Sequence, residues 1–267
     1  MFTILDIAQP DKLDEAYKIL TKRKNNTILG GCAFLKMGGK RIGTGIDLTK
    51  LKLDYLKDNG EFIEIGAMTS LRELETNALL KESFNGILPK AVENIIGVQF
   101  RNSVTVGASV YSRYGFSDLI TALLALDTEV ELYKGGRIPL EAFLQKPCEK
   151  DILLRLWLKK NQRLAAFLSL RKSASDFAVL NVAVSKLNDQ WRIVAGARPA
   201  RAAIAADASK ALGQGTLSTR EIEDAAQRSA EELAFGSNAR GSASYRKALC
   251  QVLVRRGIME VRECALN

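Results

Sequence analysis

Two glycine-bearing stretches carry the residue types that hold a phosphate. The first is Ile28-Leu29-Gly30-Gly31-Cys32-Ala33-Phe34. The second is Arg101-Asn102-Ser103-Val104-Thr105-Val106-Gly107-Ala108-Ser109, followed by Ser117-Asp118-Leu119. Glycine has no Cβ, so backbone built from it comes close to an anion and its successive N–H groups can point at the oxygens. A pyrophosphate takes donors from both sides, and two such turns at strand ends would supply them. The hydroxyls of Thr105 and Ser109 add donors, and Asp118 could accept hydrogen bonds from a ribose or an adenine. Each stretch alone also reads as ordinary: Gly-Gly marks many turns, and an Asp after Ser117 suits the start of a helix. Neither stretch has the spacing GxGxxG or GxxxxGK[ST]. From these residues alone the reading is an α/β protein with a candidate phosphate ligand.

The remaining composition removes other chemistries. The chain of 267 residues contains no histidine. A histidine general base, a Ser-His-Asp triad, a histidine metal ligand and a flavin attached through histidine are all excluded. Redox chemistry would have to come from a bound cofactor. Cys32, Cys148, Cys250 and Cys264 include no CxxC pair, so neither a zinc site nor an iron–sulfur ligand set is indicated, and four free, buried or half-buried thiols are expected. The net charge of +9 permits an acidic partner or nucleic acid. The basic residues are dispersed, however, with Lys22-Arg23-Lys24 and Arg255-Arg256 at expected helix ends, and nucleic-acid binding is not expected. No run approaches the roughly 18 apolar residues of a membrane span, and the N-terminus lacks the pattern of a secretory signal. A cytoplasmic protein is expected.

The elements that must position these stretches follow from periodicity. Leu13, Ala16, Tyr17 and Leu20 share a helix face over residues 11–20. Thr27-Ile28-Leu29 is a short strand leading into Gly30, and Phe62–Ile65 is another. Ser70-Leu71-Arg72-Glu73 is a capping box opening a helix to about Leu80. Pro89 suits the first position of a helix carrying Ala91, Val92, Ile95 and Ile96 and ending at Gly97. Leu119–Leu126 reads as a helix, Thr128–Tyr133 as a strand, Gly135-Gly136 as a hairpin turn and Ile152–Leu158 as a strand. The character then changes near residue 160. Phe177–Leu187 and Trp191–Ala195 form a hairpin at Asn188-Asp189. Helices are expected over Ala200–Leu212, stopped by Gly213, and after the capping box Ser218-Thr219-Arg220-Glu221, with Ile222, Ala225, Ala226 and Leu233 inward. Tyr245, Leu249, Val252 and Leu253 mark a last helix, with Gly257 after it.

The two turns, their order and their surroundings resemble the FAD-binding medium subunit of molybdenum hydroxylases, the xanthine dehydrogenase and carbon monoxide dehydrogenase family. Residues 29–34 are similar to its A-G-G-T-D-L loop, and residues 101–109 to its R-N-x-x-T-[IV]-G-G-[ND] loop, followed as in the family by a segment ending Ser117-Asp118-Leu119. Arg137-Ile138-Pro139-Leu140-Glu141-Ala142-Phe143 resembles R-x-[IV]-P-L-x-x-F. Residues 171–178 resemble R-x-[AS]-x-D-[FIW]-A, and residues 241–246 resemble G-S-x-x-Y-R. The likeness spans nearly the whole chain in order.

The resemblance implies an α+β protein. Residues 1–160 would form a two-subdomain FAD-binding fold of the vanillyl-alcohol oxidase-like type, also called the PCMH type, with subdomains of about 1–54 and 55–160. Residues 161–267 would form an α+β domain, sheet plus helices, like the C-terminal domain of the carbon monoxide dehydrogenase flavoprotein. It implies non-covalent FAD, with the pyrophosphate held mainly through the backbone at Ile28, Leu29, Gly30, Gly31, Cys32, Ala33, Phe34, Thr105, Val106, Gly107, Ala108 and Ser109. Asp118 would serve the adenosine side, and Ile95 and Leu153 match flavin-lining positions. No residue is expected to act as acid or base, and no metal ligand is expected. The function implied is electron transfer from partner iron–sulfur clusters through FAD to NAD or another acceptor, in a hetero-oligomer with a molybdopterin-binding large subunit and an iron–sulfur small subunit. The alternative is a same-fold assembly subunit with weak or no FAD binding. Two departures bear on it: Cys32-Ala33 replaces the usual Thr-Asp, and Ala108-Ser109 replaces Gly followed by Asn or Asp. A methyl at position 108 is costly if φ is positive there.

Overall fold

Strand and helix signals place most elements where the periodicity puts them. In a computed structural model that describes residues 2–147 and 149–265, the order begins β1 (Thr3–Ala8), α1 (Leu13–Lys22), β2 (Thr27–Leu29), α2 (Ala33–Met37), β3 (Arg41–Asp47), β4 (Leu56–Asp58) and β5 (Phe62–Gly66). Five helices follow: α3 (Leu71–Thr76), α4 (Ala78–Glu82), α5 (Ile87–Val92), α6 (Val98–Ser103) and α7 (Val106–Tyr111). Then come α8 (Asp118–Ala125), β6 (Thr128–Leu132), β7 (Gly136–Pro139), α9 (Leu140–Gln145) and β8 (Leu153–Lys159). The remainder is β9 (Leu164–Arg171), β10 (Ala178–Leu187), β11 (Gln190–Gly196), β12 (Ala203–Ile204), α10 (Ala206–Gly213), α11 (Thr219–Glu232) and α12 (Ala243–Cys264). Cys148 lies outside the described residues. Cys32 is half-buried and Cys250 buried, as expected, but Cys264 is exposed because it closes the last turn of α12.

The chain forms two units. The first takes Met1–Glu73, Val98–Ser112 and Thr128–Lys159; the second takes Leu74–Gly97, Arg113–Asp127 and Lys160–Asn267. The first unit has a parallel sheet, β1-β3-β2, and an antiparallel sheet, β4-β5-β8-β6-β7. Ala16 and Leu20 of α1 pack on Ile46 of β3 and on Ile152 and Leu154 at the start of β8. Burying such aliphatic side chains stabilises by about 1.5–3 kcal/mol each. The β6–β7 turn is fixed by Asp151, whose carboxylate accepts from the N–H groups of Lys134 and Gly135 at 3.1 and 2.8 Å.

The second unit has one antiparallel sheet, β12-β11-β10-β9. Helices α10, α11 and α12 share a core with Val182, Val184 and Ile193, while α5 and α8 also contact the sheet. Strand β10 is buried over eight successive residues. Cover on both faces explains why its sequence is a near-continuous apolar run rather than an alternation.

Several expectations need correction. The helix after Ser70 breaks at Asn77, whose side chain caps α4 by accepting from the Leu79 N–H at 3.0 Å. Pro89 is the third residue of α5, and Ile95 and Ile96 lie beyond its end. Residues 200–205 are not helical: Ala197 and Pro199 take positive φ, and Ala203–Ile204 pairs with β11. Strand β9, an apolar run bounded by Asn161 and by Ser173–Asp176, was not expected. The last helix runs through Gly257, with Arg255-Arg256 in its interior. Tyr245 and Val252 point outward, while Arg246, Cys250, Leu253 and Val254 point inward. Gly257 does not stop the helix. A Cβ there would lie 2.8 Å from Val184 Cγ2, so its bare surface lets helix and sheet meet.

Candidate functional site: a two-turn clasp in the first unit

The first turn leaves β2 and enters α2. Strand β2 is held in parallel register with β3, Leu29 opposite Asp47. Asn26, a residue missed in the sequence reading, fixes the entry to β2. It donates to Ile19 O at 2.7 Å and accepts from the Thr44 N–H at 2.9 Å. Gly31 has φ +82° and Cys32 has φ +56°. This winding turns successive amides one way, and among the described residues the N–H groups of Gly31, Cys32 and Ala33 find no acceptor. Three unpartnered donors in a turn conformation at a helix start form an anion-binding concavity. Ile28 through Leu35 are half-buried, so this face is accessible.

The second stretch has a different local structure from the one expected. It does not run from a strand end: Arg101-Asn102-Ser103 closes α6, and Thr105 caps α7. Its amides are already bonded. Val106 N–H donates to Thr69 O at 2.9 Å and Gly107 N–H to Ala67 O at 2.8 Å, while Ala108 N–H reaches Thr105 Oγ1 at 3.2 Å and Ser109 N–H reaches Thr105 O at 3.1 Å. Of the backbone donors expected of this turn, two are therefore spent on the segment after β5 and two on Thr105 itself, and only the Thr105 N–H has no acceptor among the described residues. The hydroxyls of Thr105 and Ser109 remain as its polar groups, the latter donating to Thr105 O at 2.9 Å. Ala108 is an ordinary helical residue, absent from the positive-φ positions, so its methyl carries no backbone strain. The strained side chain is Cys32.

The two turns abut. A Cβ on Gly30 would stand 2.5 Å from Ala108 Cβ and 2.8 Å from Thr105 Oγ1, and one on Gly31 would stand 2.2 Å from Ser103 O. Both glycines are therefore sterically required. Burial pushes the Cys32 thiol above its ordinary pKa, with Lys36 and the Gly30 N–H opposing and Asp47 adding to it. The thiol stays protonated at neutral pH and does not compete with an external anion for the amides. This donor set suits one face of a pyrophosphate, so the residues present fit FAD on the first-turn side.

Asp118, Ile95 and Leu153 lie apart from these turns in character. Asp118 opens α8 behind the Ser117 cap and is only 5% exposed. Its Oδ2 accepts from Arg171 Nη2 and its Oδ1 from Asn181 Nδ2, each at 2.6 Å. Burial raises its pKa, while Arg171 and Asn181 oppose the rise. A hydrogen bond to a ribose or adenine would require one of these partners to give way. Ile95 is half-buried past the end of α5. Leu153 is buried and pairs with Leu132 at a register shift where β8 begins.

Comparison with known proteins identifies the lineage. Residues 2–158 match the family described as the FAD binding domain in molybdopterin dehydrogenase, and residues 165–261 match the CO dehydrogenase flavoprotein C-terminal domain. The nicotine 6-hydroxylase medium subunit of Paenarthrobacter nicotinovorans is 25% identical, covering 95% of each chain. In fold, the chain is similar to CO dehydrogenase from Oligotropha carboxidovorans, with a TM-score of 0.90 at 20% identity over 98% of this chain and 99% of that one. Quinoline 2-oxidoreductase from Pseudomonas putida 86 gives a TM-score of 0.88 at 19% identity over 99% of both chains. Among the described residues no helix is long and apolar enough to cross a membrane. The resemblance carried by the two turns is borne out, and the chain belongs to the family of FAD-binding medium subunits of molybdenum hydroxylases.

Proposed function

We propose that this chain passes electrons from the iron–sulfur clusters of a small subunit to NAD or another acceptor, within a complex whose large subunit binds molybdopterin. FAD, when bound, supplies the one- and two-electron chemistry that no side chain of this protein provides. The observation that carries the reading is the row of unpartnered N–H groups at Gly31, Cys32 and Ala33. These amides hold one side of the pyrophosphate, with Gly30 giving clearance. Thr105 and Ser109 contribute hydroxyls across from them, and Val106, Gly107 and Ala108 form the wall. Ile28, Leu29 and Phe34 frame the first turn, and Leu153 of the same unit supplies apolar surface. Asp118 acts by fixing the start of α8.

A second reading, an assembly subunit that binds FAD weakly, is favoured by one observation: the four amides of Val106–Ser109 are committed inside the unit. Titration of the purified chain with FAD, followed by flavin absorbance and fluorescence, decides between them. Saturable binding that Gly31→Ala abolishes is the expected result. A protein that takes up no FAD would refute electron transfer and leave assembly.

A further inference from the structure

We propose that the second unit carries an oxyanion-binding pocket of its own, at the turn between β10 and β11 and the end of α10. A cavity of about 430 Å³ opens there, a volume within the roughly 300–1,000 Å³ of small-molecule sites. Its floor is Trp191, 6% exposed, with Lys186 lying 5.6 Å over the ring. Its inner wall is Arg163, 2% exposed, and beside it stands Arg192. Both guanidiniums lean on a single carboxylate. Arg163 Nη2 is 3.1 Å from Asp127 Oδ2, and Arg192 Nη2 is 2.6 Å from Asp127 Oδ1. Their other bonds go to neutral oxygens, Ser185 Oγ at 3.3 Å and Leu126 O at 2.7 Å. Burial pushes Arg163 below its ordinary pKa, Asp127 opposes, and Arg192 adds to the lowering, as expected of two cations sharing one anion.

The mouth is rich in donors. Lys210 is exposed, and its ammonium has no partner among the described residues; the same holds for the side-chain amides of Gln190 and Gln214. Asp189 is the one carboxylate on the lining. A buried guanidinium and a half-buried one that share a single carboxylate, under a free ammonium and free amides, suit a small oxyanion: a phosphate or carboxylate group, held by charge-assisted hydrogen bonds.

Trp191 reports on the site. The chain has two tryptophans, so Trp157→Phe in the full chain leaves Trp191 as the sole indole emitter. This variant is titrated with inorganic phosphate and, in a parallel series, with acetate, at ionic strength held constant with sodium chloride. A saturable change in Trp191 emission with either anion is expected, and the stronger responder identifies phosphate or carboxylate as the preferred group. Adding Lys210→Gln, a surface change, is expected to weaken that affinity about tenfold. Phosphorus NMR line broadening on the unaltered chain gives the same reading for phosphate should Trp157→Phe fail to fold. No saturable response to either anion, or an affinity that Lys210→Gln leaves unchanged, overturns the proposal.

Discussion

At Gly31 and Cys32 the chain takes positive φ and leaves three amides without partners, whereas at Val106–Ser109 every amide is bonded inside the same unit. Both turns contain glycine, but for different reasons. Gly31 is there because its backbone conformation is left-handed. Gly107 has ordinary helical backbone and is there because Ala67 O would sit 2.7 Å from any Cβ. One glycine shapes an opening and the other closes a packing contact. A glycine-rich motif in a cofactor domain is thus not evidence that each of its amides faces the cofactor.

Four substitutions break or sharpen this contrast. Gly31→Ala adds a methyl at positive φ and 2.2 Å from Ser103 O. It is expected to destabilise by about 2–5 kcal/mol and to abolish FAD uptake, read by thermal melting and flavin absorbance. Gly107→Ala should cost about 1–3 kcal/mol through overpacking against Ala67 while leaving FAD affinity of the folded protein nearly unchanged. Chemical denaturation beside an FAD titration separates the two quantities, and a large selective loss of affinity would mean that the second turn also feeds donors to the ligand. Ala108→Gly should destabilise by about 0.5–1 kcal/mol, since it puts glycine in a helix, and should not improve FAD binding. A severalfold gain in affinity would return the strain to position 108. Cys32→Gly relieves a left-handed side chain at about 1–2 kcal/mol and loses about half of that to the freer unfolded chain. A small rise in melting temperature with unchanged FAD affinity is expected if the backbone alone binds.

Much of this was legible in the residues. The Ser218–Glu221 capping box forms as read, with both reciprocal bonds. The Asn188-Asp189 turn joins β10 to β11, and the two glycine turns meet. What was illegible depended on where distant backbone goes. Nothing near Val106 or Gly107 announces that the carbonyls of Thr69 and Ala67 will take their N–H groups. Strain was expected at Ala108 by analogy with a glycine, but helix α7 starts early enough to give that residue relaxed φ, and the left-handed burden falls on Cys32 instead. Gly257 looked like a helix stop because its packing partner, Val184, lies far away in sequence. Asp118 offered two local readings, and the burial that places its carboxylate against Arg171 and Asn181 cannot be seen from its neighbours.

The interleaving of the two units bears on biosynthesis. A ribosome that has released residues 1–160 has made everything the first unit needs, yet it has also exposed α5 and α8, which belong to the second. All eight residues of α8 are buried in the finished protein, and of the elements that contact it only α5 has been made at that point, while β10, β11 and β12 are still unmade. The nascent chain must therefore carry an apolar helix without its strands from the completion of α8 until β10 and β11 have been made, at residue 196. A cut between the two family segments, at about residue 160, would make that transient state permanent and yield an aggregation-prone fragment rather than an isolated flavin domain.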